Sequence, residues 1–173
     1  MDLETLGRAP DGTHRLSRVL PSRRDQIRMS DTELTEFLDQ ERVVTCATVG
    51  PNGRPHLMPL WYVAAPGEIR GWTFGKSQKV KNLERDPHAT LQVEAGIEYG
   101  ELRGAMFECN VELERDPERV MGYGVELMAR YGGGELTNEA HQAVESQAAK
   151  RVGMRFLPTR TVTWDHRKLG GTY

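Results

Sequence analysis

Apolar residues along this chain recur with two different periods, and the places where the period changes mark the elements. Ser30 and Glu33 stand in capping-box spacing ahead of Leu34, Phe37 and Leu38, which share one helical face, so a helix is expected over about 31–40. From Val43 to Val49 the pattern turns β-branched. Gly50-Pro51-Asn52-Gly53 then supplies turn chemistry and an apolar run from His56 to Ala65 follows, which together predict a β-hairpin. Neither of its strands alternates cleanly, so both are expected to be covered on two faces. Pro66-Gly67 turns the chain into a third strand over Ile69–Phe74, and Ala89–Ala95 makes a fourth. In the fifth, Ala105, Phe107, Cys109, Val111 and Leu113 alternate with Met106, Glu108, Asn110, Glu112 and Glu114. Asp116-Pro117 opens a helix whose buried face is Val120, Tyr123, Leu127 and Tyr131. Gly132-Gly133-Gly134 stops it, a second helix covers about 138–150, and a last strand covers about 152–164.

Six strands in mostly antiparallel order, with helices at the margins, predict a mainly β protein with peripheral helices (α+β), built as a small closed or split barrel. A doubly wound parallel sheet is disfavoured, because the helices are unevenly spaced and no Gly-x-Gly-x-x-Gly follows the first strand. Residues 1–29 are polar, carry Arg8, Arg15, Arg18, Arg23, Arg24 and Arg28, and lack a sustained apolar period. They read as an extended arm, leaving residues 30–173 as one barrel domain.

A length of 173 residues is enough for one continuous core. The 23 basic and 25 acidic side chains leave a formal charge of −2, so no whole-protein field draws the chain to nucleic acid or anionic lipid, and anion recognition must be local. Cys46 and Cys109 sit in apolar stretches without the spacing of zinc ligands and are expected to be buried thiols. No metal site is expected. No apolar run is long enough for a membrane span, and a cytoplasmic location is the default expectation.

Local anion recognition has one strong candidate. Thr73-Phe74-Gly75-Lys76-Ser77-Gln78-Lys79-Val80-Lys81-Asn82-Leu83-Glu84-Arg85-Asp86-Pro87 reads as a strand ending in glycine and a basic helix opening. Ser77 is a natural N-cap, the first N–H groups of the helix face outward, and Lys76 and Lys79 add full charges. Val80 and Leu83 give the helix a docking side, and Lys81 points away. A phosphate or carboxylate ligand fits this pattern, and so does a solvated amphipathic helix.

The segment Thr48-Val49-Gly50-Pro51-Asn52-Gly53-Arg54-Pro55-His56, then Trp61-Tyr62, then Lys76-Ser77-Gln78-Lys79 with Asn82-Leu83-Glu84-Arg85-Asp86-Pro87, resembles the pyridoxamine 5'-phosphate oxidase-like split β-barrel superfamily. Leu102-Arg103-Gly104 and the ending Trp164-Asp165-His166-Arg167-Lys168-Leu169-Gly170 are similar to its actinobacterial deazaflavin-dependent branch. The likeness covers about residues 30–171. It implies a six-stranded antiparallel split barrel of the FMN-binding type. It also implies a homodimer with coenzyme F420, or alternatively FMN, in a groove between subunits, acting as an oxidoreductase on a small organic substrate. A non-catalytic cofactor- or tetrapyrrole-binding barrel is the other class of reading.

Carried onto this chain, the resemblance implies that Lys76, Ser77, Gln78 and Lys79 hold the cofactor phosphate, with Arg54 in reach and Asn82 buttressing the helix. His56, Met58, Pro59, Leu60 and Trp61 would line one edge of the ring, and Thr73 and Phe74 would lie near the ribityl chain. Trp164, His166 and Lys168 would reach across from the other subunit. Trp61 and Trp72 are equally readable as core or interface aromatics. The tail of F420 calls for more positive charge than FMN, and Arg54, Arg23 and Arg24 could add to the lysines. The chain ending only partly echoes that of pyridoxamine phosphate oxidase itself, which puts the vitamin substrate in doubt. No Ser/His/Asp signature or paired-carboxylate motif is present, as befits a reaction carried by a cofactor. A proton could come from water, Tyr62, His166 or the substrate.

Overall fold

The computed structural model describes residues 22–134 and 136–170. Their strands are β1 (Val44–Val49), β2 (Pro55–Leu60), β3 (Val63–Ala65), β4 (Glu68–Phe74), β5 (His88–Ala95), β6 (Arg103–Glu114) and β7 (Arg151–Asp165). The helices are α1 (Arg23–Gln26), α2 (Asp31–Gln40), α3 (Gln78–Arg85), α4 (Pro117–Gly132) and α5 (Asn138–Ala148). One antiparallel sheet runs in the order β2-β1-β5-β6-β7-β4-β3 and closes over a core. Val44 and Cys46, Leu91 and Val93, Ala105 and Phe107, and Met154 and Phe156 supply that core from successive strands at alternate positions. Phe37 and Leu38 of α2 pack against it, and the burial of Phe37 contributes about 1.5–3 kcal/mol.

Helix boundaries follow the predicted caps. Ser30 and Glu33 form the reciprocal capping box, Asp116 caps α4 with Pro117 in its first turn, and Gly133 ends α4 in the left-handed conformation. In β7, Pro158 sits where the register with β6 slips at Glu108/Cys109. A residue without an N–H is tolerated at such an irregularity.

The structure departs from the expected layout in three places. The apolar run from His56 to Ala65 forms two strands, giving seven in place of six. The break falls at Trp61-Tyr62 because the Tyr62 ring turns into the core, where its hydroxyl lies 2.8 Å from the Leu38 carbonyl and 3.0 Å from that of Glu41. Secondly, β2 is largely exposed, since it is an edge strand with a neighbour on one side only. Thirdly, residues 22–29 are tied to the barrel. Met29 N donates to Thr163 Oγ1 at 2.9 Å and the Ile27 carbonyl accepts from Asp165 N at 2.7 Å. The rest of the arm lies outside the described residues. No helix among those described is long and apolar enough to cross a membrane.

Candidate functional site

The barrel is split where β2 and the end of β4 approach without pairing. From Gly71 to Phe74, β4 has β7 on one side, while its pairing with β3 stops at Arg70. The chain between β2 and β3 crosses so close to β4 that a Cβ on Gly71 would stand 3.1 Å from the Trp61 carbonyl oxygen. A cavity of about 390 Å³ opens at this seam, walled by Leu60, Trp61, Trp72, Thr73, Lys79 and Arg151, with Pro59 at its edge.

Lys79 lies on the same face of α3 as Val80 and Leu83, and docking of that face draws it inward until it is 6% exposed. Its ammonium donates to Thr73 Oγ1 at 3.1 Å, and among the described residues no carboxylate lies within ion-pair reach. Burial holds its pKa below the ordinary lysine range, and the Arg151 guanidinium pushes the same way. Nearby Cys46 offers no counter-charge, because burial pushes its thiol up to about 11. Two cations thus face one cavity with neutral partners, an arrangement that favours an anion.

Two more buried polar atoms lack a partner. Ser77 occupies the N-cap position of α3 yet makes no capping bond, contrary to the sequence expectation, and its Oγ is buried without a partner. His56 Nδ1 is buried and unpartnered as well. An orphaned buried hydroxyl at a helix start, as at Ser77, is a feature that a bound anion explains. Behind them, Gln78 Nε2 donates to Asn82 Oδ1 at 2.8 Å and Asn82 Nδ2 to Thr48 Oγ1 at 3.0 Å. Asn82 therefore buttresses the helix, as expected. The exposed Gln78 side chain braces Asn82 in turn.

Trp61 stacks on Tyr131 of α4 with ring centroids 4.4 Å apart and planes 10° from parallel. Trp72 packs against Gly124 of α4, where a Cβ would fall 2.6 Å from its ring, so only glycine admits this wall. Both tryptophans thus line the cavity and pack on α4. Phe74 and Lys76 open onto a neighbouring basin, and Met58 is exposed along β2. Arg54 lies exposed at the hairpin end of that strand.

The structure does not bring Trp164, His166 and Lys168 to the seam of their own protomer. They sit at one end of β7, whereas Arg151, opposite Phe74, begins the other. Trp164 packs over Gly104, His166 lies against Tyr99, and Lys168 Nζ donates at 2.7 Å both to the Arg28 carbonyl and to Glu33. Arg23 and Arg24 belong to α1, which leads into the segment bonded to that same end. Burial raises the pKa of Tyr62 strongly, and its hydroxyl points inward onto two backbone carbonyls. Arg151 escaped the sequence reading, because only the β4–β7 register places it beside Lys79. A further groove of about 530 Å³, between α2 and the β3–β4 turn, holds none of the expected residues.

The fold is a split barrel with, at its seam, a buried cation that has no acidic partner among the described residues. The chain belongs to the pyridoxamine 5'-phosphate oxidase family, whose profile matches residues 30–165. It is similar to the conserved hypothetical protein Rv2991 from Mycobacterium tuberculosis, with 42% identity over 88% of this chain and 95% of that one and a TM-score of 0.80. A solved F420 reductase is 24% identical over 73% of this chain and 93% of its own, with a TM-score of 0.59. The heme storage protein HutZ from Vibrio cholerae is 18% identical over 77% and 94%, with a TM-score of 0.62. At those identities, the last two show the fold alone. No protein of curated function matches the chain.

Proposed function

We propose that this chain is an oxidoreductase dependent on coenzyme F420, transferring a hydride between the cofactor and a small organic substrate, with FMN as the alternative cofactor. The observation that carries this reading is Lys79, a buried ammonium without an acidic partner among the described residues, on a helix whose N-cap serine, Ser77, has an orphaned Oγ. These groups fit a phosphate in charge and in hydrogen-bonding sense, since a serine hydroxyl and a protonated lysine both donate. When bound, a deazaflavin supplies the hydride chemistry. The chain's own part is to hold the phosphate with Lys79, Arg151 and Ser77, and to exclude water with Leu60, Trp61 and Trp72. Thr73 keeps Lys79 aimed at the seam. The exposed apolar side chains of Leu57 and Met58 on edge strand β2 support a homodimer that covers this edge.

Titration of the purified protein with F420 and with FMN, followed by fluorescence, tests the cofactor, with tighter binding of F420 expected. Oxidation of reduced F420 should then accelerate when a suitable acceptor from a panel of quinones, nitroaromatics, enones and bilins is added. Binding of a ligand without any acceptor-dependent turnover favours the non-catalytic, cofactor- or tetrapyrrole-binding reading. Sedimentation of the same sample checks the dimer, and a monomer that still turns over removes the shared-site arrangement.

A further inference from the structure

The cavity at the seam has its back wall on one helix face. Gly124, Leu127, Met128 and Tyr131 of α4 follow the i, i+3, i+4, i+7 spacing that aligns side chains along a helix. Leu127 and Met128 line the cavity directly. Its aromatic walls stand at the two ends of this row, since Trp72 packs on Gly124 and Trp61 stacks on Tyr131. The two rings differ in what else holds them. Trp72 belongs to β4, where pairing with Gly153 of β7 fixes its backbone. Trp61 lies in the break between β2 and β3, outside the paired residues of both strands, and is 51% exposed. Its ring rests on Tyr131 instead. The Tyr131 hydroxyl accepts from Tyr62 N at 2.9 Å and lies 2.8 Å from the Arg42 carbonyl and 3.0 Å from that of Tyr62, so it ties down the backbone beside Trp61. The guanidiniums of Arg42 and Arg130 stand 5.6 and 5.8 Å from the centre of the same ring. Tyr131 itself sits in the last turn of α4, a helix anchored by buried Val120, Tyr123 and Leu127.

We propose that Tyr131 is a positioning residue for the seam: its ring fixes the Trp61 indole as a wall, and its hydroxyl fastens the β2–β3 crossing that carries the indole. This inference rests on the proposed function and adds to it a residue that does not itself line the cavity. A half-exposed indole without backing samples several rotamers, and ordering it when a ligand binds costs free energy. Stacked on Tyr131, it is ordered beforehand. Tyr131 thus acts on affinity through Trp61, which separates it from a residue that only stabilises the fold. Its two parts also separate, because stacking belongs to the ring and backbone anchoring to the hydroxyl.

The test uses the full-length protein with Tyr131→Leu, Tyr131→Phe, Trp61→Leu and the Tyr131→Leu/Trp61→Leu double variant, each titrated with F420 and with FMN and followed by the ligand's own fluorescence. Tyr131→Leu should weaken binding of the ligand that the parent holds about threefold to tenfold. In the Trp61→Leu background the same change should matter by less than about twofold, because the group that it positions is gone. Tyr131→Phe keeps the ring and should bind within about twofold of the parent, while unfolding at lower urea for want of the hydroxyl bonds. Fluorine NMR of protein carrying fluorotryptophan gives a readout without ligand, in which the Trp61 resonance is the one lost in Trp61→Leu. That resonance should shift and broaden in Tyr131→Leu and hold its place in Tyr131→Phe. Equal losses of affinity with and without Trp61, or an unmoved Trp61 resonance in Tyr131→Leu, overturn the positioning role while leaving the seam as the cofactor site. If the parent protein binds neither ligand, the proposed function falls and the role of Tyr131 in binding with it.

Discussion

Replacing Lys79 by methionine separates a lysine that binds a ligand from one that holds the fold. In the free protein this side chain is 6% exposed and has one neutral hydrogen bond, to Thr73. Losing that bond costs about 0.5–1.5 kcal/mol, and removing a desolvated charge offsets it, so the net stability change should stay within about 1 kcal/mol of zero. The pKa of Lys79 is lower in the folded than in the unfolded protein, so between its folded value and 10.5 the unfolded chain binds more protons. Parental stability should therefore rise with pH across that window, and the rise should be absent from Lys79→Met. Ligand binding should respond oppositely to stability. An anion forming a charge-assisted contact with this ammonium gains about 1.5–3 kcal/mol, so the variant should bind F420 or FMN roughly tenfold to a hundredfold more weakly. Parental affinity should also fall as pH climbs through the depressed pKa. Urea unfolding and fluorescence titration of both proteins read the two effects. A variant that loses more than about 2 kcal/mol of stability yet binds cofactor like its parent would show Lys79 to be structural and refute the reasoning.

Two further outcomes concern the scaffold. The Glu33 carboxyl is held down to about 2 by Lys168 and by Ser30, so the clasp joining α2 to the chain after β7 should be intact above pH 4.5 and should loosen as pH falls toward 2. A loss of protection of the Glu33 amide against hydrogen exchange, corrected for the pH dependence of the intrinsic rate and confined to that acid window, checks this. Tyr62→Phe removes one donor from the Leu38 and Glu41 carbonyls, which keep the Arg130 guanidinium, and should lower stability by about 0.5–1.5 kcal/mol in urea, with turnover of the native fraction unchanged. Loss of turnover without loss of stability would restore Tyr62 as a chemical participant.

Much of this protein was decided by local sequence. The capping box at Ser30, the Asp116-Pro117 helix start, the glycines after α4 and the strict alternation of β6 act over a few residues, and the structure keeps each of them. The spacing of Lys79, Val80, Asn82 and Leu83 also places Lys79 on the docking face of α3 and Lys81 on the other, since that face follows from the helical period. Tertiary structure decided the rest. Lys76, Lys79 and Lys81 carry identical charges, but only the docking of α3 on β1 and β6 strips water from one of them. The break at Trp61-Tyr62 arises because carbonyls from α2 and its end receive the Tyr62 hydroxyl, a contact spanning about twenty residues that no periodicity encodes. Arg151 is far from Lys79 along the chain and becomes its neighbour through the register of two strands. Periodicity is a property of neighbours in sequence. A site made of charges from separate strands depends on which strands pair and where the barrel is left open, and that is settled only when the whole core closes.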